Sequence, residues 1–138
     1  MGKFFLRLVT TVHGKIVKVT GKFGGGTKDG SVLVLHHTGA KSGKERDTPV
    51  AFMNHNGGYA ICGSMGGAPQ HPGWYFNLKA HPDATVTIAR EEIPVRAREL
   101  EGEEREQVWS LFTAFDKRWA QYQSKTERLL PLMALDPR

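Results

Sequence analysis

The sequence lacks the features that usually mark a secreted or membrane-spanning protein. It has one cysteine, Cys62, so no intrachain disulfide can form, and we expect a cytoplasmic location. No apolar run approaches the roughly 20 residues that a spanning helix needs. The N-terminus lacks the continuous apolar stretch and the small-residue cleavage site of a signal peptide. With 138 residues and no linker or repeat, the chain is expected to form one domain, residues 1–138.

Familiar catalytic and metal-binding motifs are missing as well. The six histidines show no H-x-x-x-H or Cys-His spacing, so no metal site is expected. His36 and His37 are neighbours in a predicted strand, and their side chains therefore point to opposite faces. The sequence has no P-loop, Rossmann fingerprint, nucleophile elbow or convincing carboxylate pair. This combination favours a protein whose cofactor carries the chemistry.

Positive charge is concentrated in the first third of the chain. Residues 1–46 hold nine Lys or Arg against two acids, whereas residues 47–138 hold ten against twelve. Such asymmetry indicates an anionic partner, such as a phosphate group or a membrane surface. A nucleic-acid partner is not expected, because the basic residues are not interleaved with a recognisable reading motif.

Residues 1–22 predict an N-terminal amphipathic helix. Apolar residues recur there at nearly helical spacing, and the basic residues lie elsewhere around the helix. Two interpretations stay open. The helix either docks on the rest of the domain or rests on an anionic bilayer, as a peripheral contact at the inner face of the cell membrane.

The remaining elements predict an α+β fold built on antiparallel strands. Strand patterns occur at 31–38, 46–54, 58–65, 83–89 and 93–100. Pro49 suggests an edge or a bulge, Asn56-Gly57-Gly58 a hairpin turn, and Arg90-Glu91-Glu92 a short charged turn. A short middle helix is expected between Pro72 and Pro82, and one C-terminal helix from the spacing of Val108 to Tyr122.

Two segments combine glycines with hydroxyl groups at the ends of predicted strands. The first, residues 38–46 (TGAKSGKER), is called the basic turn below; its glycines let backbone N–H groups face an anion, and Lys41, Lys44 and Arg46 add charge. The second, residues 64–67 (SMGG), is called the serine-glycine turn, and it permits close approach of a flat ring or a phosphate. Each segment by itself is also compatible with an ordinary polar turn.

The order of three segments resembles one known family. TGAKSGKERDTPV at 38–50, CGSMGGAPQHPGWYFNLKAHP at 62–82 and YQSKTERLLPL at 122–132 are similar to the deazaflavin-dependent nitroreductases, also described as coenzyme F-420-dependent quinone reductases. The resemblance implies a small split β-barrel of about six antiparallel strands with an N-terminal, a middle and a C-terminal helix. It also implies coenzyme F-420, an 8-hydroxy-5-deazaflavin with a phospholactyl-oligoglutamate tail. The implied activity is hydride transfer to a quinone, enone or nitroaromatic acceptor.

The resemblance assigns roles to particular residues. The tail and the ring would be held by a cofactor-binding set: Lys41, Ser42, Gly43, Lys44, Arg46, Pro49, Cys62, Gly63, Ser64, Met65, Gly66, Gly67, Trp74 and Lys79. Ser64 and Tyr122 are the predicted catalytic residues, which would orient or protonate the acceptor; hydrogen-bonded support of the barrel mouth is the alternative role for both. Trp119 and Tyr122 are the predicted substrate contacts.

Departures from the family pattern leave other functions open. Ala40 and Met65 stand where the family often has a cation, and Asp116 and Trp119 replace aromatic hydroxyls. The alternatives are a non-catalytic deazaflavin- or fatty-acid-binding protein and a flavin mononucleotide oxidase-like barrel. Both a monomer and a homodimer are compatible with the sequence.

Overall fold

A computed structural model describes residues 32–138, so the helix expected at 1–22 lies outside the described residues. The described part contains six strands, three α-helices and one 3-10 turn. These are β1 (Val32–Thr38), β2 (Glu45–His55), β3 (Gly58–Cys62), the 3-10 turn Met65–Gly67, α1 (Gly73–Ala80), β4 (Asp83–Ile88), β5 (Glu91–Glu99), α2 (Gly102–Phe115), α3 (Arg118–Ser124) and β6 (Leu132–Pro137). None of the helices in this part of the chain is long and apolar enough to cross a bilayer.

The six strands close into an antiparallel barrel in the order β1-β2-β3-β6-β5-β4. The barrel closes where β1 pairs with β4, with Val34 opposite Thr87. Pro49, opposite Val34 on the other side of β1, lies in the part of β2 that pairs only with β1. A missing backbone N–H is tolerated there, because no second strand needs it. The expected fold class of the described residues is confirmed.

Alternation along the strands separates two hydrophobic clusters. Leu33 and Leu35 of β1 point into the barrel, together with Ile61 of β3. The neighbouring Cys62 points outward into a second cluster, which α2 covers with Val108 and other apolar residues. At one end of the barrel, called the mouth, the inward-pointing row of β1 continues to a polar side chain, His37. The mouth is therefore the place where the interior becomes polar.

Two turns differ in how well the sequence marks them. Asn56 and Gly57 form the β2–β3 hairpin turn, and both have positive φ, 49° and 77°, as the sequence predicts. The β4–β5 turn is shorter than the predicted charged turn. Ala89 and Arg90 form it at φ 51° and 73°, and the two glutamates that follow already belong to β5. Neither residue is typical of a left-handed turn, so the prediction of its position was wrong.

The predicted C-terminal helix is in fact two helices. The chain becomes extended at Asp116 (φ −150°), whose carboxylate accepts the backbone N–H of Arg118 at 2.9 Å and starts α3. Trp119 then packs edge-on against Phe112, with 4.9 Å between ring centroids. The apolar spacing continues across the break, and this is why the sequence reads as one helix.

The sixth strand was not located from the sequence. The run from Leu132 to Leu135 is fully buried, because alternate side chains enter the barrel and the α2-covered cluster. A strand buried on both faces shows no polar alternation. Its pattern is therefore ambiguous at this length.

Candidate functional site

A groove of about 1060 Å³ opens at the barrel mouth, between the basic turn, α1 and the 3-10 turn. It is called the mouth groove below. Its lining residues are His37, Gly39, Ala40, Lys41, Ser42, Arg46, Thr48, Met65, Pro72, Gly73, Trp74, Phe76 and Asn77. The basic turn and the serine-glycine turn thus both contribute to one groove, although Met65 is the residue that the second turn supplies.

Hydrogen bonds within the basic turn use some of its backbone N–H groups and leave two others without an acceptor among residues 32–138. The N–H of Gly39 donates to the carbonyl of Lys44 at 2.8 Å, and the N–H of Gly43, at φ 70°, donates to Gly39 at 3.0 Å. The N–H of Lys44 donates to the hydroxyl of Ser42 at 3.1 Å. Within residues 32–138, no acceptor takes the N–H of Lys41 or of Ser42. These two amides and the Ser42 hydroxyl are available to an anion.

The cations of the basic turn are not neutralised by the described residues. Lys41, Lys44 and Arg46 are exposed, and none of them forms an ion pair with a carboxylate of residues 32–138. Most other exposed arginines of the barrel are paired, as Arg98 is with Glu104 at 2.8 Å. Unpaired charge beside a concave surface concentrates positive potential there. The groove therefore favours a phosphate or carboxylate group.

Another part of the groove's lining, formed by Met65, Trp74 and Phe76, is apolar and partly exposed. Trp74 is 7% exposed and packs into the barrel core, whereas Phe76 and Met65 are 51% and 49% exposed. Large exposed apolar side chains beside a cleft indicate a surface that a ligand covers. A flat, largely apolar ring matches this wall.

A chain of hydrogen bonds crosses the polar part of the groove. The N–H of Ala40 donates to Oδ1 of Asn77 at 2.8 Å, and Nδ2 of Asn77 donates to Nδ1 of His37 at 3.0 Å. Nε2 of His37 lies 2.9 Å from the hydroxyl of Thr48. Burial lowers the pKa of His37 to about 4, so its imidazole is neutral at pH 7.

Sequence reasoning gave His37, Thr48 and Asn77 no role in the site. The inward-pointing row of Leu33, Leu35 and His37 was a usable signal, because it places a polar residue at the end of a buried face. The prediction that His36 and His37 diverge is confirmed. His36 contacts Asp47 on the outside of the barrel at 2.6 Å.

The serine-glycine turn is held by hydrogen bonds from an arginine, Arg128. The Arg128 guanidinium donates to the carbonyls of Gly63 at 3.0 Å, Ser64 at 2.8 Å and Ala68 at 2.8 Å. Ser64 is 9% exposed, and its hydroxyl accepts the N–H of Gly66 at 3.5 Å. In the described residues, Ser64 therefore has the supporting contact that was the alternative to a catalytic role. Arg128 lies within the matched segment 122–132, yet no role had been assigned to it.

Five residues of the predicted cofactor-binding set line the groove: Lys41, Ser42, Arg46, Met65 and Trp74. The other members of that set, Lys44, Pro49, Gly43, Ser64, Gly66 and Gly67 among them, are not lining residues. The Cys62 side chain points away, into the α2-covered cluster, and burial raises the pKa of its thiol to about 12. Gly63 and Gly67 instead leave room for their neighbours, because a Cβ would lie 2.9 Å from Pro131 and 2.7 Å from the Tyr122 carbonyl.

Three further predicted site residues, Lys79, Trp119 and Tyr122, also do not line the groove. Lys79 donates to Glu99 at 2.7 Å and is not among the lining residues. Trp119 and Tyr122 pack edge-on to each other, with 5.9 Å between ring centroids, against the α2-covered cluster. The Tyr122 carbonyl lies against Gly67, so α3 packs on the serine-glycine turn, and neither aromatic residue is among those that line the mouth groove.

Several known proteins are similar to this chain in sequence. A family model described as F420H(2)-dependent quinone reductase matches residues 7–137. A relative from Mycobacterium tuberculosis (strain ATCC 25618 / H37Rv), named as an F420H(2)-dependent quinone reductase, is 34% identical over 109 residues, which cover 77% of this chain and 73% of the relative.

Two solved structures are also similar. One, described as an F420-H2 Dependent Reductase (FDR-A), has 45% sequence identity and a TM-score of 0.70, covering 76% of this chain and 93% of that one. The other, described as a domain-swapped dimer, has 39% identity and a TM-score of 0.72, covering 95% and 98%. The resemblance drawn from the three segments, the split-barrel fold and coenzyme F-420 as the cofactor are confirmed. The chain belongs to the F420H(2)-dependent quinone reductase family, and it is an enzyme of that family.

Proposed function

We propose that this chain holds reduced coenzyme F-420 in the mouth groove and reduces a quinone or enone there, with nitroaromatics as incidental acceptors. One observation carries the proposal: the same groove joins the unpaired cations of the basic turn to the apolar wall formed by Trp74, Phe76 and Met65. A flat ring with an anionic tail needs both surfaces side by side. The names of the similar proteins support the cofactor and the quinone acceptor.

The residues present fit this cofactor. Lys41 and Arg46 offer charge for the phosphate and the tail carboxylates, and the free N–H groups of Lys41 and Ser42 add directed donors. Lys44, exposed beside them, adds attraction at longer range. The ring would cover the exposed faces of Phe76 and Met65 against the buried Trp74. The bound deazaflavin supplies a hydride.

The protein's own part is binding, orientation and exclusion of water. Burial lowers the pKa of His37, the imidazole among the lining residues of the groove, to about 4, so this ring is not a ready source of a proton at pH 7. Tyr122 and Ser64 remain predicted catalytic residues, and Trp119 and Tyr122 remain predicted substrate contacts. Tyr122 and Trp119 belong to α3, which packs on the serine-glycine turn and does not line the groove. Tyr122→Phe and Trp119→Phe should therefore change the KM for the acceptor only if that turn moves when the acceptor binds.

Anaerobic mixing of the protein with reduced coenzyme F-420 and menadione tests the proposal. Oxidation of the coenzyme supports a reductase, whereas tight binding without turnover would support the non-catalytic alternative. A yellow protein with a flavin spectrum after purification would instead support a flavin mononucleotide enzyme. Lys41→Ala and Arg46→Ala should weaken coenzyme binding, while Lys117→Ala, which removes an exposed cation that does not line the groove, should not.

Peripheral contact with an anionic membrane is a further part of the proposal. It is supported by residues 1–22, which hold five Lys or Arg and no acid, and by the solubility of quinones in lipid. Sedimentation with anionic vesicles should remove the full chain from solution but leave a chain lacking residues 1–22 behind. A homodimer is the assembly to test by light scattering, because one similar structure is described as a domain-swapped dimer.

A further inference from the structure

We propose that His37 and Asn77 are positioning residues that fix the hydroxyl proton of Thr48 so that it donates into the mouth groove, to an oxygen or unprotonated nitrogen on the bound ring. The inference rests on the proposed function. It adds to that function a directed donor and two residues that orient it. None of these three belongs to the set predicted from the sequence.

The orientation of the Asn77 amide is settled by a backbone group. The N–H of Ala40 can only donate, so the Asn77 atom that it contacts at 2.8 Å must be the oxygen. The other end of the amide is therefore the NH2 group, which donates to Nδ1 of His37 at 3.0 Å. The donor N–H of Ala40 in the basic turn thus fixes the orientation of the Asn77 amide, and the Asn77 amide makes Nδ1 of His37 an acceptor.

The tautomer of His37 follows from that donation. A neutral imidazole has one N–H, and Nδ1 already accepts, so the proton is on Nε2. Nε2 therefore donates to the Thr48 hydroxyl at 2.9 Å. The ring is 5% exposed, and its lowered pKa keeps it neutral, so it is not free to become a double donor.

Thr48 is the end of the chain of hydrogen bonds. Its oxygen accepts from His37, and its own proton must point elsewhere. No acceptor among residues 32–138 takes that proton, and Thr48 is one of the residues that line the mouth groove. A ligand that presents an acceptor atom at this wall can take this proton in a hydrogen bond.

The first test measures the affinity for coenzyme F-420 by fluorescence titration. Thr48→Val removes the hydroxyl at nearly constant volume and should weaken binding about threefold to tenfold. Thr48→Ser keeps the hydroxyl and should stay within about twofold of the unaltered protein. The control is Thr85→Val, the same change on β4, on a strand position that does not line the groove.

The second test reverses the polarity of the chain. Asn77→Asp keeps the shape but has no N–H, so at a pH high enough to keep the imidazole of this variant neutral His37 donates through Nδ1 and accepts through Nε2, and the Thr48 proton turns toward His37. The loss of coenzyme affinity caused by Asn77→Asp should be at least about threefold smaller in a Thr48→Val background than in the unaltered protein. The reason is that valine has no hydroxyl proton to redirect. A cost of equal size in both backgrounds would reflect the added charge alone and would overturn the inference.

The third test needs no cofactor. Nitrogen-15 shifts of the His37 ring in the free protein should show the proton on Nε2, and a proton on Nδ1 would overturn the inference. Unchanged affinity in Thr48→Val beside lost affinity in Arg46→Ala would overturn it while leaving the proposed function intact. If the unaltered protein does not bind the coenzyme, both fail together.

Discussion

The two turns at the barrel mouth both combine glycines with hydroxyl residues, and they have different structural roles. The basic turn satisfies itself with three internal bonds and leaves two amides, a hydroxyl and three cations for a ligand. In the serine-glycine turn, Ser64 is buried and Arg128 donates to three carbonyls, those of Ser64 and of the flanking Gly63 and Ala68. What separates a binding turn from a supporting turn is therefore where its polar groups find partners, rather than which residues it contains.

Arg128→Ala should show the largest effect, and on stability. It removes a charged fork from three carbonyls, and we expect the free energy of unfolding to fall by about 3 kcal/mol. Urea denaturation measures this. Arg128→Lys should recover little, since one ammonium group does not reproduce the fork. A loss below about 0.5 kcal/mol would show that the turn does not depend on this residue.

Arg46→Ala should have the opposite profile. Its cation is exposed and unpaired within residues 32–138, so stability should change by less than about 0.5 kcal/mol. Affinity for coenzyme F-420 should fall about 10- to 100-fold, because a charged donor to phosphate or carboxylate is lost. If Arg46→Ala lowers the free energy of unfolding and leaves the affinity for coenzyme F-420 unchanged, the basic turn is a supporting turn and not the binding turn.

Replacing one glycine in each turn sharpens the contrast. Gly43 (φ 70°) has open space around it, so Gly43→Ala should cost about 1 kcal/mol of unfolding free energy from the backbone alone. Gly67 (φ 88°) is also left-handed, and a Cβ there would lie 2.7 Å from the Tyr122 carbonyl. Gly67→Ala should therefore cost more than about 2 kcal/mol. Equal costs in thermal unfolding would contradict the packing described for the serine-glycine turn.

The effect expected to be smallest near pH 7 is a pH dependence beside the basic turn, because it develops only as the pH falls below about 6.5. His37 has a pKa of about 4 in the folded chain and about 6.5 when unfolded, because burial disfavours its charged form. Between these values the unfolded state binds more protons, so stability is full above pH 6.5 and falls as the pH drops toward 4. His37→Gln should flatten that part of the curve in urea denaturation. An unchanged slope would mean that other groups cause it.

The sequence predicted the parts of the fold that local chemistry decides. Asn56-Gly57 gave a hairpin, and alternation located five strands. It failed where long-range packing decides: β6 is buried on both faces, and Asp116 breaks a helix whose apolar spacing continues to Trp119. The family resemblance correctly named five residues that line the groove, but it also named Lys79, whose ammonium group pairs with Glu99 instead. The two residues are 20 positions apart, and the spacing of residues in the sequence does not predict such a pair.

A crystal structure of this protein with coenzyme F-420 bound tests the central claim most directly. The account predicts the ring against Trp74 and Met65, with the phosphate and tail at Lys41 and Arg46. A ring bound on the far side of the serine-glycine turn, against Trp119 and Tyr122, would contradict it.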